Sequence, residues 1–123
     1  VIGVEPATAN DTALSLRSGN RQTIAAPDTI ADGLRHTTPA ALPWTINQRL
    51  LDDIVTVTDH DIAAAVGLCF TWLKTVVEPS GAVALAAVAA GHVQPGYGRI
   101  AVVLSGGNAD WATLHTLLGP DLT

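Results

Sequence analysis

Residues 100–104 read IAVVL, and Ser105-Gly106-Gly107-Asn108 follow at once. A run apolar at every position has no face to turn to water. As a strand it must be covered on both sides, which is the condition of a parallel sheet sandwiched between helices. The two glycines then break the strand, and a helix over residues 109–118 follows. This strand–turn–helix order constrains the chain to α/β layering.

The rest of the sequence agrees with that layering. Val1 to Val4 form a second apolar run of strand length, ended by Glu5-Pro6, and Ile54-Val55-Thr56-Val57 is a short β-branched strand. Asn10 can cap a helix that runs to Ser18 and stops at Gly19. Pro43 suits the first turn of a helix through Leu51. Thr58 caps a helix from Asp59 to about Thr75, whose predicted core face is Ile62, Val66, Cys69, Phe70 and Leu73. A helix of small apolar residues spans residues 80–90 and is closed by Gly91. Pro95-Gly96-Tyr97-Gly98 reads as a turn.

Composition excludes several function classes. Hydrophobic residues make up 48% of the 123 positions and charged residues 14%, which fits one domain with a developed core. The net charge is −5 and the six basic residues form no cluster, so a nucleic-acid partner is not expected. No segment has the length and apolarity of a membrane span. The single cysteine, Cys69, cannot form an internal disulfide and reads as a buried small hydrophobe. That usage is consistent with a cytoplasmic location. The chain opens on a core strand with no Met anywhere, which reads as a piece of something longer.

Three local patterns carry chemistry. Ser105 at the carboxyl end of a strand would place a hydroxyl in the crevice where α/β sheets bind ligands; a plain strand-to-helix turn is the other reading. Glu78 in Val77-Glu78-Pro79-Ser80-Gly81 lies at a helix start, where the macrodipole favours its ionised form with or without a chemical role. Glu5 and Asp11 bracket a turn with free carbonyls. Such oxygens suit Mg²⁺ or Ca²⁺, although an acid that ends a strand and an acid that starts a helix need no metal. The four histidines, His36, His60, His92 and His115, are scattered and show no zinc-ligand spacing.

Taken in order, VIGVEP with Ala9 and Asp11, TIADGL at 29–34, LPWTI at 42–46, DDIVTVTDHDI at 52–62, VVEPSGAVALAA at 76–87 and VVLSGGN at 102–108 match one family. The sequence resembles the C-terminal segment of the fold-type-II pyridoxal-phosphate (PLP) enzymes, within them the serine/threonine dehydratases and serine racemases. The resemblance implies an α/β fold, part of the three-layer sandwich of the large PLP-binding domain. It implies that Ser105 hydrogen-bonds the pyridine nitrogen of PLP and that Gly106, Gly107 and Asn108 shape that end of the pocket. Glu78 would lie near the cofactor ring, and Ala31, Asp32 and Gly33 would line the substrate side. Glu5, the carbonyl of Ala9 and Asp11 match a divalent-cation site, for Mg²⁺ or Ca²⁺.

The implied activity is β-elimination of water from L-serine or L-threonine, giving a 2-oxo acid and ammonia, with racemisation of serine as the alternative. The lysine that holds PLP covalently and the glycine-rich loop that holds its phosphate precede this segment in the family. Here the one lysine, Lys74, lies in Trp72-Leu73-Lys74, outside the family's lysine motif. The chain alone is therefore expected to be inactive. Its expected partners are the preceding segment of the same enzyme, a small amino-acid substrate and further copies in a homo-oligomer. A standalone non-catalytic binding or interaction module is the reading from a different class.

Overall fold

The computed structural model describes residues 1–93, 96 and 98–119. Strand β1 (Ile2–Pro6) and strand β2 (Asp53–Val57) pair in parallel, with Ile2 opposite Asp53 and Pro6 opposite Val57. The amide of Ala7 carries the ladder one step further, to the Val57 carbonyl at 2.8 Å. Between the strands lie helix α1 (Asp11–Ser18), a 3₁₀ turn (Asp32–Leu34) and helix α2 (Ala41–Leu50). After β2 come α3 (Asp59–Leu68), a π turn (Cys69–Leu73), α4 (Pro79–Ala89) and α5 (Trp111–Leu118). This is the α/β class expected, with parallel strands. Among the described residues no helix is long and apolar enough to cross a membrane. The turn read at residues 95–98 falls partly outside the described residues, since Pro95 and Tyr97 do.

The caps at Thr58 and Gly19 act as their chemistry suggests. The Thr58 hydroxyl accepts from the Asp61 amide at 3.2 Å, and the Asp61 carboxylate accepts from the Thr58 amide at 2.9 Å. This reciprocal box satisfies donors that the first turn of α3 leaves open. Gly19 ends α1 in the left-handed region at φ 73°. Asn10 occupies the start of α1 but its side chain makes no cap bond.

The core sits where α3 and α4 cross beside the sheet. Ile62, Ala65, Val66 and Cys69 on one side meet Ala82, Val83, Ala86 and Ala87 on the other, all buried. Alanines at the contact let the two helices approach closely and keep the density of a protein interior.

Two expectations besides the Asn10 cap are corrected. Phe70 and Leu73 do not continue the core face; they are 44% and 54% exposed. The π turn begins at Cys69, and its wider winding breaks the helical periodicity on which the predicted core face rested. Lys74 then ends it with a left-handed backbone, φ 55°. Residues 100–104 are extended in sequence pattern but join neither strand. Residues 99–103 line an apolar cavity of about 450 Å³ together with Ile2, Val4, Ala84 and Val88. A strand exists through its ladder, and residues 100–104 make none with β1 or β2.

Candidate functional site

The three motifs of the implied cofactor face lie far apart in sequence and meet in space. Glu78 caps α4 from an extended backbone, with Pro79 in the first helical position. Its amide donates to the Gly106 carbonyl at 3.0 Å. The approach is so close that a Cβ on Gly106 would lie 1.8 Å from the Glu78 carboxylate. One on Gly81 would lie 2.8 Å from the Gly106 backbone, and one on Gly107 2.9 Å from the Val76 carbonyl. Absent side chains, more than backbone freedom, are what these positions require.

The second contact brings in residues 31–33. The Gly33 amide donates to the Ser80 hydroxyl at 3.0 Å and to the Asp32 carboxylate at 2.8 Å. The Ser80 hydroxyl reaches that carboxylate at 3.4 Å. Ala31 is wholly buried beneath this loop. Two further residues fix it from below. Asp59, in the first turn of α3, accepts from the Ile30 amide at 3.1 Å and from the Thr29 hydroxyl at 2.5 Å. The Arg35 guanidinium donates to the Thr29 carbonyl at 2.8 Å through Nε. Ser80, Asp59, Thr29 and Arg35 were not singled out from the sequence. Three of them lie inside matching motifs, but nothing in the spacing says that they pair.

Ser105 and Asn108 are exposed at the rim of this cluster, on either side of Gly106 and Gly107. A hydroxyl in that position can give or take one hydrogen bond and carries no charge. Lys74 is exposed at the end of the π turn.

A second cluster forms where β1 meets α1. The Glu5 oxygens accept one backbone amide each, from Thr12 at 3.1 Å and Ala13 at 2.9 Å. Asp11 is fully buried, and neither of its carboxylate oxygens has a hydrogen-bond partner. Burial raises the pKa of Glu5; the bonds from Thr12 and Ala13 oppose that, and the Asp11 charge adds to it. Burial also raises the pKa of Asp11, while the nearby His36 pulls it down. Ala9 and His36 line the same cavity of about 260 Å³ as Glu5. Orphaned buried carboxylate oxygens beside a second carboxylate fit a cation, which would supply the missing partner.

The family of pyridoxal-phosphate dependent enzymes matches residues 1–106. The chain belongs to that family. Within it, this PLP-family chain is similar to the serine racemase of Arabidopsis thaliana, 40% identical over 119 residues that cover 93% of the chain. It is likewise 37% identical to the serine racemase of Oryza sativa subsp. indica, over 94% of the chain. The solved structure of a threonine deaminase from T.th. superposes with a TM-score of 0.83 and 41% identity, covering 90% of this chain and 40% of that one. Maize serine racemase superposes at 0.81 with 37% identity, covering 94% of this chain and 37% of that one. The chain spans 36% of the length of the Oryza relative, so it corresponds to a part of such an enzyme. Gly107 and Asn108 lie just past the family match.

Proposed function

We propose that this PLP-family chain forms the C-terminal part of the cofactor-binding domain of an L-serine/L-threonine dehydratase, which eliminates water to give a 2-oxo acid and ammonia. The observation that carries the reading is the convergence of Glu78, Gly106 and the Ser80–Gly33 contact into one wall. PLP, when bound, supplies an electron-withdrawing ring that stabilises negative charge at the substrate Cα. Ser105 would hydrogen-bond the ring nitrogen. Being neutral, it would leave that nitrogen without an enforced proton and moderate the electron sink. The close glycines keep this end of the pocket open to a flat ring, and residues 31–33 would border the substrate.

Racemisation of serine is the second reading, favoured by the similarity to the serine racemases of Oryza sativa and Arabidopsis thaliana. Both reactions begin by removing the α-proton. They diverge when the β-hydroxyl leaves or when a proton returns to the opposite face. In the second cluster, where β1 meets α1, Glu5, the Ala9 carbonyl and Asp11 would hold a cation. Mg²⁺ or Ca²⁺ there would tie the end of β1 to α1.

The chain carries neither a lysine in the family's motif nor a phosphate loop, so both would come from the preceding segment of the enzyme. The test incubates the protein with PLP and L-serine or L-threonine, alone and with a co-expressed segment bearing those two elements. Alone, 2-oxo acid and D-serine should form no faster than with free PLP. With the segment, visible PLP absorbance and turnover should appear together. Turnover by the chain alone that Lys74→Ala abolishes would overturn the reading.

A further inference from the structure

His36 has no part in the resemblance, yet it sits at the cation cluster. One ligand atom from each of Glu5, Asp11 and His36 lies within 4.8 Å of the others. His36 and Asp11 nevertheless make no hydrogen bond or ion pair, and both Asp11 oxygens stay unpartnered while fully buried. Each Glu5 oxygen, having accepted one amide, keeps a lone pair. Groups too far apart to bond, yet this close, have the separation of ligands sharing one ion. Two donors at bond lengths of about 2.1 to 2.4 Å can stand no further apart than about 4.2 to 4.8 Å.

We propose that His36 is a direct ligand of the cation held by Glu5 and Asp11. The site then takes a divalent transition ion such as Mn²⁺ in preference to Mg²⁺ or Ca²⁺. The inference rests on the cation reading of Glu5, Ala9 and Asp11 and deepens it. An all-oxygen set suits Mg²⁺, Ca²⁺ and Mn²⁺ alike, whereas an imidazole nitrogen adds affinity that grows along the first-row series starting from Mn²⁺ and is least for Mg²⁺ and Ca²⁺. The placement supports a capping role. Asp11 forms the buried floor, Glu5 one wall, and His36 comes from the exposed loop three residues beyond Gly33. A cation gripped by His36 would anchor the loop that carries Ala31, Asp32 and Gly33 to the end of β1.

The test uses the full chain with MnCl₂, MgCl₂ and CaCl₂, read by calorimetric titration and by the melting temperature. Bound Mn²⁺ is also examined by pulsed electron paramagnetic resonance for coupling to a ¹⁴N nucleus. Mn²⁺ should bind more tightly than Mg²⁺ and show the nitrogen coupling. Losing even an outer-shell partner costs a metal site about tenfold or more in affinity, so His36→Ala should weaken Mn²⁺ by at least about tenfold. It should also erase the nitrogen coupling and leave Mg²⁺ and Ca²⁺ binding nearly unchanged. His36 is exposed, so this variant keeps the fold. Asp11→Asn should weaken all three ions. If all three bind, Asp11→Asn abolishes them and His36→Ala changes nothing, the His36 ligand is overturned and the oxygen site stands. If no ion binds, or Asp11→Asn is without effect, the cation reading falls and this inference with it.

Discussion

Gly81 and Gly106 meet backbone to backbone at the start of α4, and the two positions differ in what surrounds them. A Cβ on Gly81 would lie 2.8 Å from the Gly106 amide nitrogen and carbonyl oxygen, which are held by the chain on both sides. A Cβ on Gly106 meets the far end of the Glu78 side chain, which can swing away. Gly81→Ala should therefore cost stability in the overpacking range, about 1–3 kcal/mol. Gly106→Ala should cost less, while displacing the carboxylate that borders the proposed ring site. Chemical denaturation of the two variants checks the order. Equal losses, or a larger one at Gly106, would contradict this geometry.

The first turn of α3 is held by a side-chain box whose strength depends on pH. Asp61 has a pKa below the usual aspartate value, first because the Thr58 hydroxyl donates to it at 2.7 Å, then through the Thr58 amide, with His92 adding a smaller effect at 3.7 Å. A depressed carboxyl pKa contributes stability that is present above the unfolded-state value and is lost as pH falls through the folded value. The gain should thus be complete at neutral pH and should disappear in acid, below the ordinary aspartate pKa of about 3.9. Thr58→Ala should cost about 1 kcal/mol at pH 7, and less once Asp61 is protonated. Unfolding curves at both pH values measure this; a penalty that does not shrink in acid would mean the box is not the source. The same element shows where local reading stops. The cap at Thr58 and the positions Ile62, Val66 and Cys69 follow from residue type and spacing. The π turn depends on how the end of α3 is packed and constrained, and it carries Phe70 and Leu73 outward.

At the scale of the whole chain, β1 is paired on one edge with β2, while its other side faces the apolar cavity beneath residues 99–103. Ile2 is 42% exposed and Val103 72%. An open strand edge flanked by aliphatic side chains is a template for another strand. The chain should therefore self-associate as its concentration rises, and sedimentation velocity across a dilution series should show it. Co-expression with the segment that carries the lysine and phosphate loop should suppress that association. A monomer at every concentration, with a sharp cooperative melt, would identify a self-sufficient domain and favour the standalone module.

The sequence by itself determined the elements whose causes are local. These are the two short strands at the chain start and at residues 54–57, the Thr58 cap, the small-residue helix opened by Glu78-Pro79 and the glycine break after Leu104. The order of its motifs carried the family. The tertiary structure decided everything that depends on distance across the chain. It brought residues 78, 81 and 106 into contact and hung the 31–33 loop from Ser80 and Asp59. It also set His36 beside two buried carboxylates and kept residues 100–104 out of the sheet. The physical reason is common to all four. Periodicity and propensity act over a few residues, whereas ligand sets, close backbone approaches and strand ladders join segments tens of residues apart.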